Sequence, residues 1–428
     1  MLLNINLLTF FKSSNLVLLF MSLGLLSCKD NSASDDLAIS NDKSQLISIN
    51  ELGFASNAFE LSVSKNSQLD VFDSLFLDKG VYKLPGNPDK QKLHAFFEEL
   101  REGYFNKDEG IDYSIIRKEY HTFTHAMDVM ITTHALLQSG GGVYLSDGER
   151  ASLVLAALGH DVLHTGVNNS FLIQVEHSYY QEMGGESLQE KRSANYVLEL
   201  LGKHEILVIN DGMNDLQKKQ ISDARDLIEQ SILWTDIKRH KEQMEKVSDI
   251  SKHLVSLVDK HRENSKMEGV GALEDDYRSG LNVSDYLSKE NKTLISAFIL
   301  HCADISNPGK EWKHCERWAG LVMNEFFSQG DLQKKLSLKT SMNCDRNSVS
   351  VPGCQVGFGK YVINDLYTLL KMTVHDGGSY LLKNFKTNQQ KWQELQSMED
   401  NTNLPYAMKF SPPTREGGWT GKLRVGEE

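Results

Sequence analysis

The sequence predicts an all-α protein with one compact multi-helix domain, and two observations lead to that prediction. The chain has 428 residues but only seven prolines, and none of them lies between residues 89 and 307. Apolar residues recur at intervals of three and four in segments such as LHAFFEELREGYF and SANYVLELLGKHEILVI. A proline-free stretch with this period favours helices, and no long alternating pattern typical of strands appears.

Composition and charge narrow the classes of partner. The chain is 40% hydrophobic and 24% charged, as is ordinary for a globular protein, and its formal net charge is −12. This negative charge argues against nucleic acid as a partner. An anionic small substrate would need a cationic group in the site, such as a metal ion, to receive it. The sequence carries no signal for an oligomeric state.

The N-terminus has the layout of a secretory signal. Lys12 precedes a short apolar stretch, and small residues come directly before Cys28. The sequence LLSC resembles the bacterial lipobox, whose cysteine is acylated and becomes the new N-terminus. A transmembrane anchor is the alternative, but residues 15–27 are too few to span a bilayer comfortably. We therefore expect an exported lipoprotein, anchored at Cys28 on the periplasmic or cell-surface side of a membrane.

Composition shifts divide the rest of the chain. After a lipoprotein signal peptide, residues 1–27, we expect three parts. They are a polar tether and N-terminal segment at 28–75, the helical domain at 76–395, and a C-terminal tail at 396–428.

Cysteine spacing makes a zinc–thiolate site improbable. Beyond Cys28 the cysteines are at positions 302, 315, 344 and 354, and none forms a C-x-x-C pair. A disulfide between Cys344 and Cys354 and a set of free thiols are both compatible with this spacing.

Two polar segments that lie beside apolar runs contain the same histidine spacing. In YHTFTHAMDV, His121 and His125 are four residues apart, so on a helix they share a face. In HDVLHTGVNNSF, His160 and His164 repeat the spacing, with Asp161 adjacent. Either pair alone is explained equally well by a polar helix end whose histidines face water.

A third segment completes a pattern typical of metal sites. HCADISNP follows the apolar run TLISAFIL, which places Asp304 near the end of a helix that Asn307 and Pro308 terminate. Two histidines and two carboxylates from three helices suit zinc, with open positions for water. Asp161 could also reach a second, harder ion such as magnesium or manganese. Two ions about 4 Å apart form a clamp for phosphoryl transfer, in which a bridging water becomes hydroxide near neutral pH.

With these residues in place, the sequence resembles the class I cyclic-nucleotide phosphodiesterases, a branch of the HD superfamily of metal-dependent phosphohydrolases. The likeness runs from about residue 117 to about residue 395. Six motifs come in the family's order and approximate spacing: YHTFTHAMDV, HDVLHTGVNNSFL, ILWTDIKRH, HCADISNP, EFFSQGD and CQVGFGKYVI. The resemblance implies a compact all-α HD-type catalytic domain that hydrolyses a 3′,5′-cyclic nucleotide to the 5′-monophosphate.

The resemblance implies a metal centre and a proton donor. The zinc ligands would be His125, His160, Asp161 and Asp304, and Asp161 would also touch the second ion. His121 would be the general acid that protonates the leaving 3′ oxygen, a role that suits a histidine near neutral pH. Waters around the second ion would be oriented by His164, Glu190 and Thr235.

The resemblance also implies a pocket for the base. Gln355 would hydrogen-bond the purine edge, since an amide offers both a donor and an acceptor. Phe358 and Val322 would sandwich the flat base between an aromatic and an aliphatic surface. Tyr120 and Asn307 would line the same pocket.

Several positions depart from the family's pattern. Thr122 stands where asparagine is usual, and Thr165 stands where the family has proline. In LQEKRS, Glu190 is kept, but Arg192 and Ser193 replace two histidines. Because the proposed metal ligands and the acid are intact, we expect these changes to affect the rate rather than the reaction.

The resemblance further implies a preference for cAMP over cGMP. In the family, asparagine at the position of Asn307 accompanies enzymes that prefer cAMP, and its amide can accept from adenine's exocyclic amine. Gln355 could satisfy either base by rotating its amide, unless a neighbour locks it.

Two other functions are alternatives, an HD-type phosphohydrolase of linear nucleotides and a non-catalytic cyclic-nucleotide-binding module. The slot formed by Gln355 and Phe358 argues against the first. The retained ligands and His121 argue against the second.

Overall fold

A computed structural model describes residues 53–61, 65–77, 80–265 and 283–402, and these residues form helices and no strand. The all-α prediction is therefore confirmed. The helices, labelled α1 to α15 in chain order, are Ala58–Leu61, Lys65–Phe76, Lys90–Gly103, Phe123–Gln138, Asp147–Gly159, Asn169–Gln174, Ser178–Met183, Leu188–Lys203, Asp215–Leu233, His240–Ser265, Lys289–Asp304, Trp312–Lys335, Val351–Phe358, Asn364–Thr373 and His375–Thr402.

Side-chain caps set where several of these helices begin. At the start of α5, Ser146 accepts a hydrogen bond from the Glu149 backbone, and the Glu149 carboxylate accepts from the Ser146 backbone at 2.8 Å. Asn214 and Gln217 form the same reciprocal pair before α9. Such caps satisfy N–H groups that lack a partner within the helix, and each is worth about 1 kcal/mol.

The centre of the fold consists of three helices that are buried on nearly every side. The buried residues run from Phe123 to Leu137 in α4, from Ala151 to Gly159 in α5 and from Leu294 to Ala303 in α11. These helices pack on one another, and a helix that is buried all round belongs in the middle of a fold. The start of α4 and the ends of α5 and α11 supply the polar residues of the candidate site.

The packed core begins before the predicted residue 76, and helical structure continues past the predicted residue 395. In α2, Val71, Phe72 and Leu75 are fully buried, and Phe72 packs on Phe97 with ring centroids 4.9 Å apart. At the other end, α15 continues to Thr402. The domain boundaries stay a prediction, and Val71, Phe72 and Leu75 show that the predicted tether and N-terminal segment at 28–75 ends in residues of the core.

The prediction that His121 and His125 share a helix face is wrong. His121 does not lie on a helix with His125, because α4 begins at Phe123 and Thr122 before it has extended backbone with φ −116° and ψ 170°. His160 and His164 do not share a helix face either. Helix α5 ends at Gly159, and the chain then turns through Leu163 with φ +64°. The position of Asp304 is as predicted, since it is the last residue of α11.

The described cysteines are free thiols, so Cys344 and Cys354 are not joined in this structure. The predicted signal peptide, Cys28 and most of the tail lie outside the described residues. Among the helices that the structure describes, none combines the length and apolar character needed to cross a bilayer.

Candidate active site

Four predicted ligands converge where the three central helices meet, and we call them the ligand cluster: His125, His160, Asp161 and Asp304. Asp304 Oδ1 lies 2.9 Å from His125 Nε2 and 3.3 Å from His160 Nε2. Asp161 Oδ2 lies 3.1 Å from His160 Nε2 and 3.6 Å from His125 Nε2. One ligand atom from each residue falls within 4.8 Å of all the others.

This geometry fits a metal ion. Bonds of about 2.0–2.2 Å in a tetrahedral site place neighbouring ligand atoms roughly 3.3–3.6 Å apart, close to the distances found here. The His160 Nδ1 atom is 2.8 Å from the Ala157 carbonyl, to which it can donate, so Nε2 is left as the free donor atom for an ion. Asp161 Oδ2 is buried and makes no hydrogen bond within the described residues. A buried carboxylate oxygen in that state needs a positive charge beside it, which a metal ion or a protonated His160 can supply.

The histidines and aspartates of the ligand cluster stabilise one another's charged forms. Burial disfavours a charged His160, but the adjacent Asp161 and Asp304 outweigh it and hold the pKa of His160 well above its usual value. Burial likewise opposes ionisation of Asp304, yet His160 and His125 hold its pKa below the usual range. Without an ion, a proton on His160 therefore offsets part of the charge of the buried carboxylates.

A second group, the acid cluster, lies beside the first and contains His121, His164 and Glu325. Glu325 Oε2 accepts hydrogen bonds from the backbone N–H groups of Glu119, Tyr120 and His121 at 3.1, 2.9 and 3.2 Å. Its other oxygen, Oε1, makes a short contact with His121 Nδ1. One buried carboxylate on α12 thus fixes both the segment before α4 and the ring of the proposed acid.

The acid cluster is organised for a proton rather than a metal ion. The rings of His121 and His164 stack with centroids 3.8 Å apart and an interplanar angle of 24°. Imidazole lone pairs lie in the plane of the ring, so stacked rings cannot both point at one ion between them. Glu325 is also saturated by its N–H donors.

The pKa values of the two stacked histidines, His121 and His164, are shifted in opposite directions. Burial lowers the pKa of His121, but Glu325 and Asp161 outweigh it and raise that pKa to about 9. Burial and the neighbouring His121 lower the pKa of His164 to about 3. Burial opposes ionisation of Glu325, but His121 holds its pKa at about 2. His121 is therefore a cation stacked on a neutral ring.

The three residues predicted to orient waters have different surroundings. Glu190 accepts a hydrogen bond from Asn169 at 2.8 Å, and burial together with Asp236 raises its pKa to about 7. Thr235 donates its hydroxyl to the Ile232 carbonyl at 2.7 Å. Glu190, Thr235 and His164 all line the cavity beside the ligand cluster.

That cavity, of about 420 Å³, also contains the predicted base pocket. The predicted base-pocket residues that line it are Tyr120, Asn307, Val322, Gln355 and Phe358. Asn307 Nδ2 donates to the Tyr120 hydroxyl at 2.6 Å, while Asn307 Oδ1 is buried with no hydrogen-bond partner among the described residues. No described residue hydrogen-bonds the amide of Gln355.

Sequence reasoning missed two residues of the site. Glu325 begins the motif EFFSQGD, which contributed to the resemblance but was given no role. Gln189 lies beside the predicted Glu190 and contacts His164. Glu325 could have been proposed as a site residue, because it is the first acidic residue of the motif EFFSQGD. A single glutamine such as Gln189 has no feature in the sequence that marks it as part of a site.

Comparison with known proteins agrees with this geometry. A family model described as 3′5′-cyclic nucleotide phosphodiesterase matches residues 120–385, more than half of the chain. The chain therefore belongs to the 3′,5′-cyclic nucleotide phosphodiesterase family.

Two curated relatives are similar over most of the domain. One is the dual specificity calcium/calmodulin-dependent 3′,5′-cyclic nucleotide phosphodiesterase 1 of Drosophila melanogaster, 29% identical over 272 residues, covering 63% of this chain and 27% of that protein. The other is the dual specificity calcium/calmodulin-dependent 3′,5′-cyclic nucleotide phosphodiesterase 1B of Mus musculus, 28% identical over 279 residues, covering 65% and 44%. The chain thus spans less than half the length of these relatives.

Solved structures show the same fold. The phosphodiesterase domain of the RhoPDE fusion protein from the choanoflagellate Salpingoeca rosetta has a TM-score of 0.64 at 21% identity, covering 82% of this chain and 98% of that one. LmjPDEB1 in complex with IBMX also has a TM-score of 0.64 at 21% identity, covering 84% and 96%.

Proposed function

We propose that this chain hydrolyses a 3′,5′-cyclic nucleotide to the 5′-monophosphate, with divalent ions held by the ligand cluster and His121 as the general acid. The observation that carries the proposal is that Asp161 and Asp304 of the ligand cluster line one cavity together with all three residues of the acid cluster. A phosphate bound there would meet the ions and the proton donor together.

The donor set suits zinc, and Asp161 is placed to share a second ion, magnesium or manganese. Ions bound there would activate a water and neutralise charge on the phosphate. The chain's own part in the step is proton transfer. As the water oxygen bonds to phosphorus and the bond from phosphorus to the 3′ oxygen breaks, the protonated His121 gives its proton to that oxygen. Glu325 keeps His121 charged and aimed until that moment.

The test is hydrolysis of cAMP and cGMP by the purified protein lacking residues 1–27, with and without a chelator. We expect hydrolysis that stops when the metal is removed and returns when zinc with magnesium or manganese is added back. Hydrolysis of linear nucleotides alone would indicate a different HD-type phosphohydrolase. Binding of a cyclic nucleotide without turnover would indicate a non-catalytic binding module.

We further propose a preference for cAMP. Asn307 supports it, because the amide donates to Tyr120 and so leaves a buried oxygen as an acceptor for adenine's amine. Guanine presents an acceptor at that edge, and an unpaired buried polar group costs about 1–3 kcal/mol, which corresponds to a ten- to hundredfold preference.

The competing candidate is dual specificity, as in the names of the two relatives. The amide of Gln355 supports it, since no hydrogen bond from a described residue holds that amide in the orientation that suits one base. Competition between the two nucleotides gives the ratio of kcat/KM. A ratio above ten that falls toward one in Asn307→Leu supports the preference, and a ratio near one in the unmodified protein supports dual specificity.

We also propose that the chain is exported and anchored to a membrane by a lipid on Cys28, as the LLSC sequence suggests. Cys28→Ser should abolish labelling by a clickable fatty-acid analogue and release the protein from the membrane fraction. Equal labelling of the variant and the unmodified chain would contradict the proposal.

A further inference from the structure

Gln189 makes hydrogen bonds that link helix α8 to the segment after the metal ligands. It is buried, with 6% of its surface exposed. Its Oε1 accepts from the Thr165 backbone N–H at 2.9 Å and from the Thr165 hydroxyl at 2.6 Å. Its Nε2 donates to the Val167 carbonyl at 2.8 Å and lies 3.0 Å from His164 Nε2. The Gly166 backbone N–H donates to His164 Nδ1 at 3.1 Å, so Nδ1 is the acceptor of the neutral His164 ring and Nε2 carries its proton.

The segment that Gln189 holds has no helix of its own to stabilise it. It runs from the end of α5 to the start of α6 and includes left-handed backbone at Leu163, with φ +64°, and at Gly166, with φ +81°. Two more side chains of α8 bind its carbonyl oxygens: Arg192 donates to Leu163 O at 2.9 Å, and Ser193 donates to Val162 O at 2.7 Å. Side chains of α8 thus set the path between Asp161 and His164.

The contact with His164 reaches the proposed acid. The His164 ring stacks on His121 at 3.8 Å, while Glu325 holds the Nδ1 side of the His121 ring. The Gly166 N–H holds the Nδ1 side of the His164 ring, and Gln189 binds the two neighbours of Gly166, Thr165 and Val167. The acid is therefore fixed by a carboxylate on one edge and by a ring on one face, and that ring is held by the segment that Gln189 binds.

We propose that Gln189 is a positioning residue for catalysis, which acts by holding His164 against His121. The proposal rests on the hydrolysis proposed above. A catalytic group must be held to within about 0.5 Å of its productive position, and loss of a residue that orients a catalytic group typically costs 10- to 100-fold in activity. Gln189 itself touches neither the proton nor the metal ligands.

Two variants test the proposal. Gln189→Leu keeps the size of the side chain but removes its hydrogen bonds. Gln189→Glu keeps the acceptor for Thr165 and removes the donor to Val167, so it remains informative if the leucine variant does not fold. We expect kcat to fall roughly tenfold or more in each, while KM stays within about twofold and bound metal is unchanged.

Gln333→Leu is the matched control. Gln333 is also fully buried, and it donates to Gln174 at 2.8 Å and accepts from the Ser341 backbone at 2.9 Å, but it does not line the cavity. We expect this control to lose thermal stability as Gln189→Leu does and to keep its kcat. An equal loss of kcat in the control would show that the effect of Gln189 is general destabilisation and would overturn the proposal.

A readout without turnover separates this inference from the proposed function. In NMR spectra of the metal-free protein, Gln189→Leu should shift the imidazole signals of both His164 and His121, and Gln333→Leu should shift neither. Those shifts would support the positioning role even if no cyclic nucleotide were hydrolysed. Unchanged His121 signals, or an unchanged kcat in an active enzyme, would overturn the role of Gln189.

Discussion

The ligand cluster and the acid cluster are built from the same residue types but are suited to different tasks. Each contains two histidines and at least one carboxylate, and the aspartates of the ligand cluster line one cavity with the acid cluster. In the ligand cluster, ring nitrogens and carboxylate oxygens converge at 2.9–3.6 Å, as they would around an ion. In the acid cluster the rings stack instead, and three backbone N–H groups already satisfy the carboxylate.

The difference teaches that equal spacing in the sequence did not mean a common role. Each H-x-x-x-H pair is divided between the clusters: His125 and His160 lie in the ligand cluster, and His121 and His164 lie in the acid cluster. The reason is local backbone. One histidine of each pair lies at a helix end, and the other lies beyond it on an extended or turning segment. Each histidine therefore shares its cluster with a histidine of the other H-x-x-x-H pair.

The sharpest test of the comparison removes a ligand. His160→Ala or Asp304→Ala should abolish turnover and lower bound zinc, because the remaining ligands are too few to hold the ion. Hydrolysis and elemental analysis measure the two effects. The control is His204→Ala, which removes a histidine that binds Glu99 away from the site, and it should leave both unchanged. Near-normal turnover with full metal content in either ligand variant would contradict the ligand cluster.

Removal of the proposed acid should distinguish the role of the acid cluster from that of the ligand cluster. His121→Ala should lower kcat by ~10²-fold or more and leave bound metal unchanged, because proton donation alone is lost. The paired measurement is kcat with zinc content on the same preparation. If the variant loses zinc as well, His121 is a ligand, and the division between the clusters is wrong.

Glu325→Gln should have a smaller effect that depends on pH. The amide keeps the shape but removes the charge that raises the pKa of His121 to about 9, so that pKa should fall in the metal-free protein. Turnover should fall roughly tenfold at pH 8, where the buried ring now loses its proton, and less at pH 6. NMR titration of His121 after chelation measures the pKa, and an unchanged value would contradict the pairing.

The same variant makes a prediction for stability. A raised histidine pKa stabilises the fold below the unfolded value of about 6.5, and this stabilisation is lost as the pH rises toward 9. In the metal-free protein, the free energy of unfolding should therefore differ most between the unmodified chain and Glu325→Gln at about pH 5–6.5. The difference should narrow toward pH 9 in denaturant titrations. A difference in the free energy of unfolding that grew with pH would contradict this prediction.

The smallest expected effect is thermal. An ion at a hundred times its dissociation constant stabilises the folded state by about 2.7 kcal/mol, so a chelator should lower the Tm of the unmodified protein by a few degrees. Since His160→Ala lacks the site, its Tm should not respond. A Tm change of equal size in both proteins would locate the stabilising ion elsewhere.

Much of the fold and part of the site were predictable from the sequence. The absence of proline between residues 89 and 307 and the helical period predicted the helices, because both act through local backbone geometry. His160, Asp161 and Asp304 stood out because such polar groups beside apolar runs need a partner. Glu325 could not be assigned by spacing, since it lies 204 residues from the ring it binds.

The sequence by itself determined that this chain is helical and that it carries the residue types of a metal-dependent phosphodiesterase, because helix periodicity and ligand chemistry are properties of the residues. The family resemblance had already assigned His125 and His160 as ligands and His121 as the acid, and the tertiary structure showed that a helix end separates the members of each pair. The tertiary structure also supplied Glu325 and Gln189 as the groups that hold the acid. Those assignments depend on distances between helix ends that are far apart in the chain, and such distances are set by how the buried helices α4, α5 and α11 pack rather than by any local pattern.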